Sequence, residues 1–128
     1  MIHEEICTYE VCKLAKEKGF PQHIGDDAYV VENEYDDKYE VGCCYPIPFI
    51  PDYLPTITAP TQSLLQRWLR EEKFIDFAIY PIFINGVRVY TCYAYAPKLN
   101  KPKKFNYFDT YELALEDALK YALENLVI

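Results

Sequence analysis

The sequence predicts an α+β fold in which a small antiparallel sheet packs against about three helices. Three observations carry that expectation. Asn85-Gly86 joins two arms, 74–84 and 87–95, rich in β-branched and aromatic residues, which is the strongest short-range hairpin signal. Three stretches, 4–18, 60–72 and 110–126, repeat apolar residues at helical spacing. The order of elements is helix, irregular or strand region, helix, hairpin, strand, helix, and with hairpin pairing dominating an antiparallel sheet is favoured over a parallel α/β fold. With 128 residues, 51% of them apolar and 16% aromatic, the chain is expected to form a single domain over 1–128 with one core.

In the first helix Ile6, Cys7, Val11, Leu14 and Ala15 share a face, while Glu4 and Glu5 at the start and Lys16 and Lys18 at the end suit the helix dipole. Gly19 followed by Phe20 is a stop signal, and Pro21 prevents continuation. From 22 to 58 the pattern is weaker: a candidate strand at 28–32, an acidic tract, a candidate strand at 39–45, then prolines at 46, 48, 51, 55 and 60. Proline removes amide donors, so 46–56 is expected to be an extended surface segment, with Ile47, Phe49, Ile50, Tyr53 and Leu54 packed on the body.

The second helix is expected to start near Pro60 with a cap at Thr58 or Ala59, and Leu64, Leu65, Trp68 and Leu69 form its apolar stripe. For the hairpin, a two-residue turn sets the register. Ile82 faces Val89 and Tyr80 faces Thr91 on one side, with Ile79 opposite Cys92 and Phe77 opposite Ala94 on the other. Pro81 then marks a sheet edge or a bulge. The basic loop Lys98, Lys101, Lys103 and Lys104 leads to a candidate strand at 105–108. A capping box of Asp109 with Glu112 opens the last helix, whose buried face is Tyr111, Leu115, Ala118, Leu119, Ala122 and Leu126. Glu116 and Lys120 form an exposed pair one turn apart.

The net charge of −7 is concentrated. Asp26, Asp27, Glu32, Glu34, Asp36, Asp37 and Glu40 face only Lys38 within 26–40, leaving the rest nearly neutral. Such a balance argues against a nucleic-acid grip, which needs clustered Lys and Arg. No apolar run approaches the roughly 20 residues of a membrane span. The N-terminus lacks a positive region followed by a long apolar one, so the chain is read as cytoplasmic. Cys7, Cys12, Cys43, Cys44 and Cys92 are an odd set without Cys-x-x-Cys spacing, and reduced thiols are the default.

Two segments carry a family resemblance: Ala59-Pro60-Thr61-Gln62-Ser63-Leu64-Leu65-Gln66-Arg67-Trp68-Leu69-Arg70-Glu71 and Phe108-Asp109-Thr110-Tyr111-Glu112-Leu113-Ala114-Leu115-Glu116. They resemble a group of short proteins encoded in Bacteroides-type gut bacteria, their phages and prophages, which carry a PTQ, LLQRWLRE helix and a TYE-AL terminal helix and have no assigned activity. The resemblance covers roughly half the chain and leaves out the acidic and proline-rich middle. It implies a phage or mobile-element setting in a bacterial host and brings no catalytic residues with it.

Chemistry-bearing residues are few. His3 and Cys7 stand one helical turn apart and Cys12 is near, but a metal would need further ligands such as Cys43 and Cys44, and buried free cysteine is an ordinary core residue, so no metal is assigned. His3 and His23 are the only histidines, neither in a Cys-His or Ser-His setting, and no glycine-rich phosphate loop exists. An unrecognised hydrolase would need one of them beside an acid in a pocket. The acidic tract lacks the ordered spacing of a calcium loop. It reads first as a solvated loop, with mimicry of nucleic acid as a second use. No cofactor is implied.

The 13 tyrosines are the most unusual feature. Tyr80, Tyr90, Tyr93 and Tyr95 serve either β-propensity or an interface. The expectation is a noncatalytic accessory protein that binds a host or phage protein through this tyrosine-rich sheet or the acidic surface, with self-association left open. The alternative is a small-molecule or nucleotide-sequestering domain, with Arg67, Arg70, Arg88 or the 98–104 loop holding anionic groups and tyrosines stacking.

Overall fold

A computed structural model describes residues 4–22 and 27–127, so His3, His23 and Asp26 lie outside the described residues. The fold is α+β, with three helices and two three-stranded antiparallel sheets among the described residues. The chain divides into two compact units, Met1–Thr61 and Gln62–Ile128, each taken by itself below.

In the first unit, helix α1 spans Tyr9–Glu17 rather than 4–18. Thr8 is the reason: its backbone is extended and its hydroxyl accepts the Val11 amide at 3.3 Å, so the helix begins there. Ile6, placed on the helix by its periodicity, instead forms an antiparallel bridge with Thr61, and the Cys7 amide donates to the Pro60 carbonyl at 3.0 Å. The Gly19-Phe20 stop forms as expected. Phe20 donates to the Ala15 carbonyl at 2.9 Å, Gly19 to Lys16 at 3.2 Å, and the Phe20 ring is buried.

Strand β1 (Asp27–Val30) is central between β2 (Cys44–Pro46) and β3 (Thr56–Thr58), both antiparallel to it. Ala28 and Val30 are buried on one face of the strand, while Tyr29 shares the other face with its partner Ile57, stacks on Tyr9 at 5.5 Å and donates to the Cys7 carbonyl at 2.7 Å. The strand expected over 39–45 is confined to its last two residues and Pro46, because the backbone from Asp36 to Cys43 is held in turns. Pro46 sits on an edge strand, where a missing amide donor leaves no partner unmet. Of the apolar residues between the prolines only Leu54 is fully buried. Phe49 and Tyr53 are exposed, contrary to the expectation that they pack on the body.

In the second unit, helix α2 covers Gln62–Lys73. Pro60 and Thr61 precede it because their backbone is engaged by Cys7 and Ile6, which moves the start two residues beyond the proline. The hairpin is β4 (Asp76–Ile84) and β5 (Val87–Tyr95), with Ile82 opposite Val89, Tyr80 opposite Thr91, Ile79 opposite Cys92 and Phe77 opposite Ala94, the register the turn requires. Asn85 and Gly86 take φ of 51° and 80°, as a type I′ turn demands. Strand order β4-β5-β6 leaves β4 at an edge, which accommodates Pro81 without a bulge.

Strand β6 is Lys103–Lys104, two residues before the expected segment, while Phe105 donates to the Cys92 carbonyl and Phe108 bridges Tyr90. Helix α3 (Tyr111–Asn125) is capped by Thr110, whose hydroxyl accepts the Leu113 amide at 3.1 Å, in place of the expected Asp109. Ala114, Leu115, Ala118, Leu119, Ala122 and Leu123 form its buried stripe against the hairpin, and Tyr111 stays exposed.

Candidate functional site

The acidic tract is a framed loop. Asn33 sits at its centre: its amide nitrogen donates to the carbonyls of Asp36 and Tyr39, and its side-chain oxygen accepts the amides of Tyr35 at 3.3 Å and Asp36 at 2.9 Å. A short amide side chain that satisfies both donors and acceptors of the following backbone fixes a turn that no strand or helix ladder supports. The Asp36 carboxylate also accepts the Lys38 amide at 2.9 Å.

Tyrosine hydroxyls then join this loop to the segment around the prolines. Tyr39 donates to the Phe49 carbonyl at 2.5 Å, and the Tyr45 hydroxyl accepts the Glu40 amide at 2.8 Å. The two rings meet edge to face at 5.0 Å. Tyr53 reaches Asp36 at 3.5 Å and lies edge to face with Tyr35 at 5.8 Å. Loss of solvent around its ring and the neighbouring Asp36 carboxylate, which takes its hydroxyl, push the Tyr53 phenol up.

What this frame presents outward is unusual. Tyr35, Phe49 and Tyr53 are 69%, 73% and 56% exposed, and Val41 is exposed as well. Around them Glu32, Glu34, Asp37, Glu40 and Asp52 are exposed acids, while Asp27 lies within β1 and is half-buried. Large rings are thus left in water beside carboxylates, on a backbone fixed by hydrogen bonds.

The sheet tyrosines divide. Tyr80, Tyr93 and Tyr95 share one face of the hairpin, where Tyr80 and Tyr93 meet edge to face at 5.9 Å. Partial burial, then the charge and hydrogen bond of Tyr80, raise the Tyr95 phenol. Tyr90 does not join them: pairing with Pro81 puts it on the opposite face, edge to face with Tyr111 of α3 at 6.2 Å, with the Arg88 guanidinium over its ring at 5.5 Å. The three expected arginines do not converge. Arg67 pairs with Glu71 on α2 at 3.1 Å, Arg70 is exposed on the same helix, and Arg88 belongs to the Tyr90 face.

All comparisons with family models, curated proteins and solved structures returned no match.

The cysteines are free: Cys7, Cys12 and Cys92 are buried, and Cys43 and Cys44 half-buried. Cys12 donates to the Cys7 carbonyl, and no grouping of His, Cys, Asp and Glu among the described residues is arranged to hold a metal. Burial pushes the Cys44 thiol up to about 11 and the Cys92 thiol up to about 12, so neither supplies a thiolate nucleophile. The Cys43 thiol is raised by its bond to Glu40. No helix among the described residues is long and apolar enough to cross a membrane.

Sequence reasoning missed Asn33 and the outward rings Tyr35, Phe49 and Tyr53. The signal for Asn33 was available: an Asn three residues before an Asp in a strand-poor tract is the pattern of a side-chain-built turn.

Proposed function

We propose that this chain is a noncatalytic accessory protein whose surface at 32–53 binds a basic region of a protein partner. The observation that carries the reading is the exposure of Tyr35, Phe49 and Tyr53 among Glu32, Glu34, Asp37, Glu40 and Asp52, on a backbone fixed by Asn33, Tyr39 and Tyr45. Rigid rings bury area at low entropic cost, and arginine stacks on them while its guanidinium meets carboxylates. Nucleic acid is a poor partner for such a surface, because like charges repel. The resemblance of the α2 and α3 segments to phage and prophage proteins motivates a partner of host or phage origin in the bacterial cytoplasm.

The test compares the wild-type chain with Tyr35→Ser/Phe49→Ser/Tyr53→Ser as bait in host lysate, followed by binding of the recovered partner in purified form. The expected result is a basic partner that the triple variant fails to hold. Binding should also weaken as ionic strength rises from about 0.01 M to about 0.15 M, where the Debye length falls from about 30 Å to about 8 Å. A partner that binds both chains equally, or without regard to salt, contradicts the reading.

A further inference from the structure

The tyrosine face of the hairpin carries a second, open site, built from residues of the second unit alone. Tyr80 and Ile82 of β4, Thr91, Tyr93 and Tyr95 of β5 and Pro102 line a concavity of about 500 Å³. That volume lies within the range of small-ligand sites, roughly 300–1,000 Å³. Three of its six lining residues are tyrosines, and Thr91 is fully buried, its hydroxyl donated to the Phe105 carbonyl at 3.0 Å. None of the six lining residues carries a charge, which favours an uncharged aromatic ring over a charged group against them.

Charged side chains flank it at the Tyr93 and Tyr95 positions. Lys104 pairs with Tyr93 across β5 and β6, and paired residues share a face, so its side chain stands on the Tyr93 face beside the concavity. Its ammonium is 3.2 Å from the Tyr107 hydroxyl, and Tyr107 and Tyr93 raise its pKa, keeping it cationic. Further along the ladder Asp76 is opposite Tyr95, which disfavours a second anionic group there. A flat ring with one anionic substituent fits this arrangement. A polymer fits less well, because a chain of net charge −7 repels successive phosphates.

We propose that this concavity binds a mononucleotide, with its base against Tyr80, Tyr93 and Tyr95 and its phosphate toward Lys104. The site is independent of the surface at 32–53, so the two readings fail separately. A proline-rich peptide also favours flat aromatic walls, but it gains nothing from Lys104.

The test is calorimetric titration of the full chain with adenosine monophosphate, adenosine and an oligoproline peptide, repeated on Tyr80→Leu, Tyr93→Leu and Lys104→Gln after a thermal melt confirms that each variant folds. Tyr80 and Lys104 are exposed, so Tyr80→Leu and Lys104→Gln leave the core untouched. Adenosine monophosphate is expected to bind, and either leucine variant to weaken it about tenfold, the factor that loss of one base-stacking ring gives. Adenosine is expected to bind more weakly than the monophosphate, and Lys104→Gln to abolish that difference. The proposal is overturned by absence of nucleotide binding, by affinity unchanged in Tyr80→Leu, by equal affinity for adenosine and its monophosphate, or by binding of the oligoproline alone.

Discussion

In the loop at 33–53 the hydroxyls of Tyr39 and Tyr45 bond to backbone groups, while on the hairpin Tyr80, Tyr93 and Tyr95 turn toward a concavity and the backbone is held by its own ladder of nine cross-strand pairs. The difference shows two ways of holding a surface in place. A ladder is redundant, so no one side chain decides it. A loop bonded through Asn33 depends on single groups, because each unmet backbone partner costs about 1–3 kcal/mol if it stays dry.

The contrast can be broken most forcefully in the core beneath the hairpin. Leu119 is fully buried on α3, and Leu119→Ala is expected to cost about 2–5 kcal/mol in urea unfolding through the cavity it leaves. A change below about 1 kcal/mol would mean that α3 does not hold the sheet as described.

Two glycines sharpen the comparison next. Gly42 and Gly86 have φ of 81° and 80°, so alanine is strained at both, by about 1–2 kcal/mol. A Cβ at Gly86 meets nothing within 4 Å, whereas at Gly42 it lies 3.2 Å from the Tyr9 ring. Gly42→Ala is therefore expected to destabilise more than Gly86→Ala, by about a further 1 kcal/mol, as overpacking costs 1–3. Equal midpoints in denaturant would show that Tyr9 gives way freely.

Asn33→Ala should act more locally. About 2 kcal/mol is expected from several half-buried side-chain to backbone bonds, with amide exchange accelerated in 34–43 and unchanged in β4 and β5. Uniform acceleration across both units would contradict the account of a separately framed loop.

The smallest effect concerns the thiols. Their ordinary value is 9.0, and in the folded chain Cys44 is pushed up to about 11 and Cys92 to about 12, both chiefly by burial. The folded state thus holds these protons more tightly than the unfolded one. The stabilising difference is complete below pH 9 and is lost as pH rises through about 11 and then about 12. Alkylation of each cysteine followed by mass spectrometry should show half-maximal rates well above pH 9 at both positions; rates already half-maximal at pH 9 would refute the burial argument.

What could be read from the sequence follows the same division. The hairpin register and the Asn-Gly turn were legible because a two-residue turn fixes every pair that follows it, whereas the choice between edge and bulge at Pro81 needed the strand order. Helix positions were legible from periodicity, but their starts were not: Thr8 and Thr110 cap one or a few residues away from the expected points, and Pro60 is held in a bridge region. In the first unit β1 pairs with strands that follow it only after long connections, and its loop is fixed by Asn33 and by tyrosines many residues away. Such bonds have no period, so pattern reading passes over them. The same holds for the site. The tyrosine-rich hairpin and the acidic tract stood out by composition, but only the pairing showed that Tyr90 faces away from Tyr80, and only the frame showed Tyr35, Phe49 and Tyr53 outward.

The most direct test of the framed surface is a nuclear magnetic resonance titration of the isotope-labelled full chain with a short arginine-rich peptide. Shift changes confined to 32–53, and absent from the same titration of Tyr35→Ser/Phe49→Ser/Tyr53→Ser, are the predicted result. Shifts centred on the hairpin, or none at all, would contradict it.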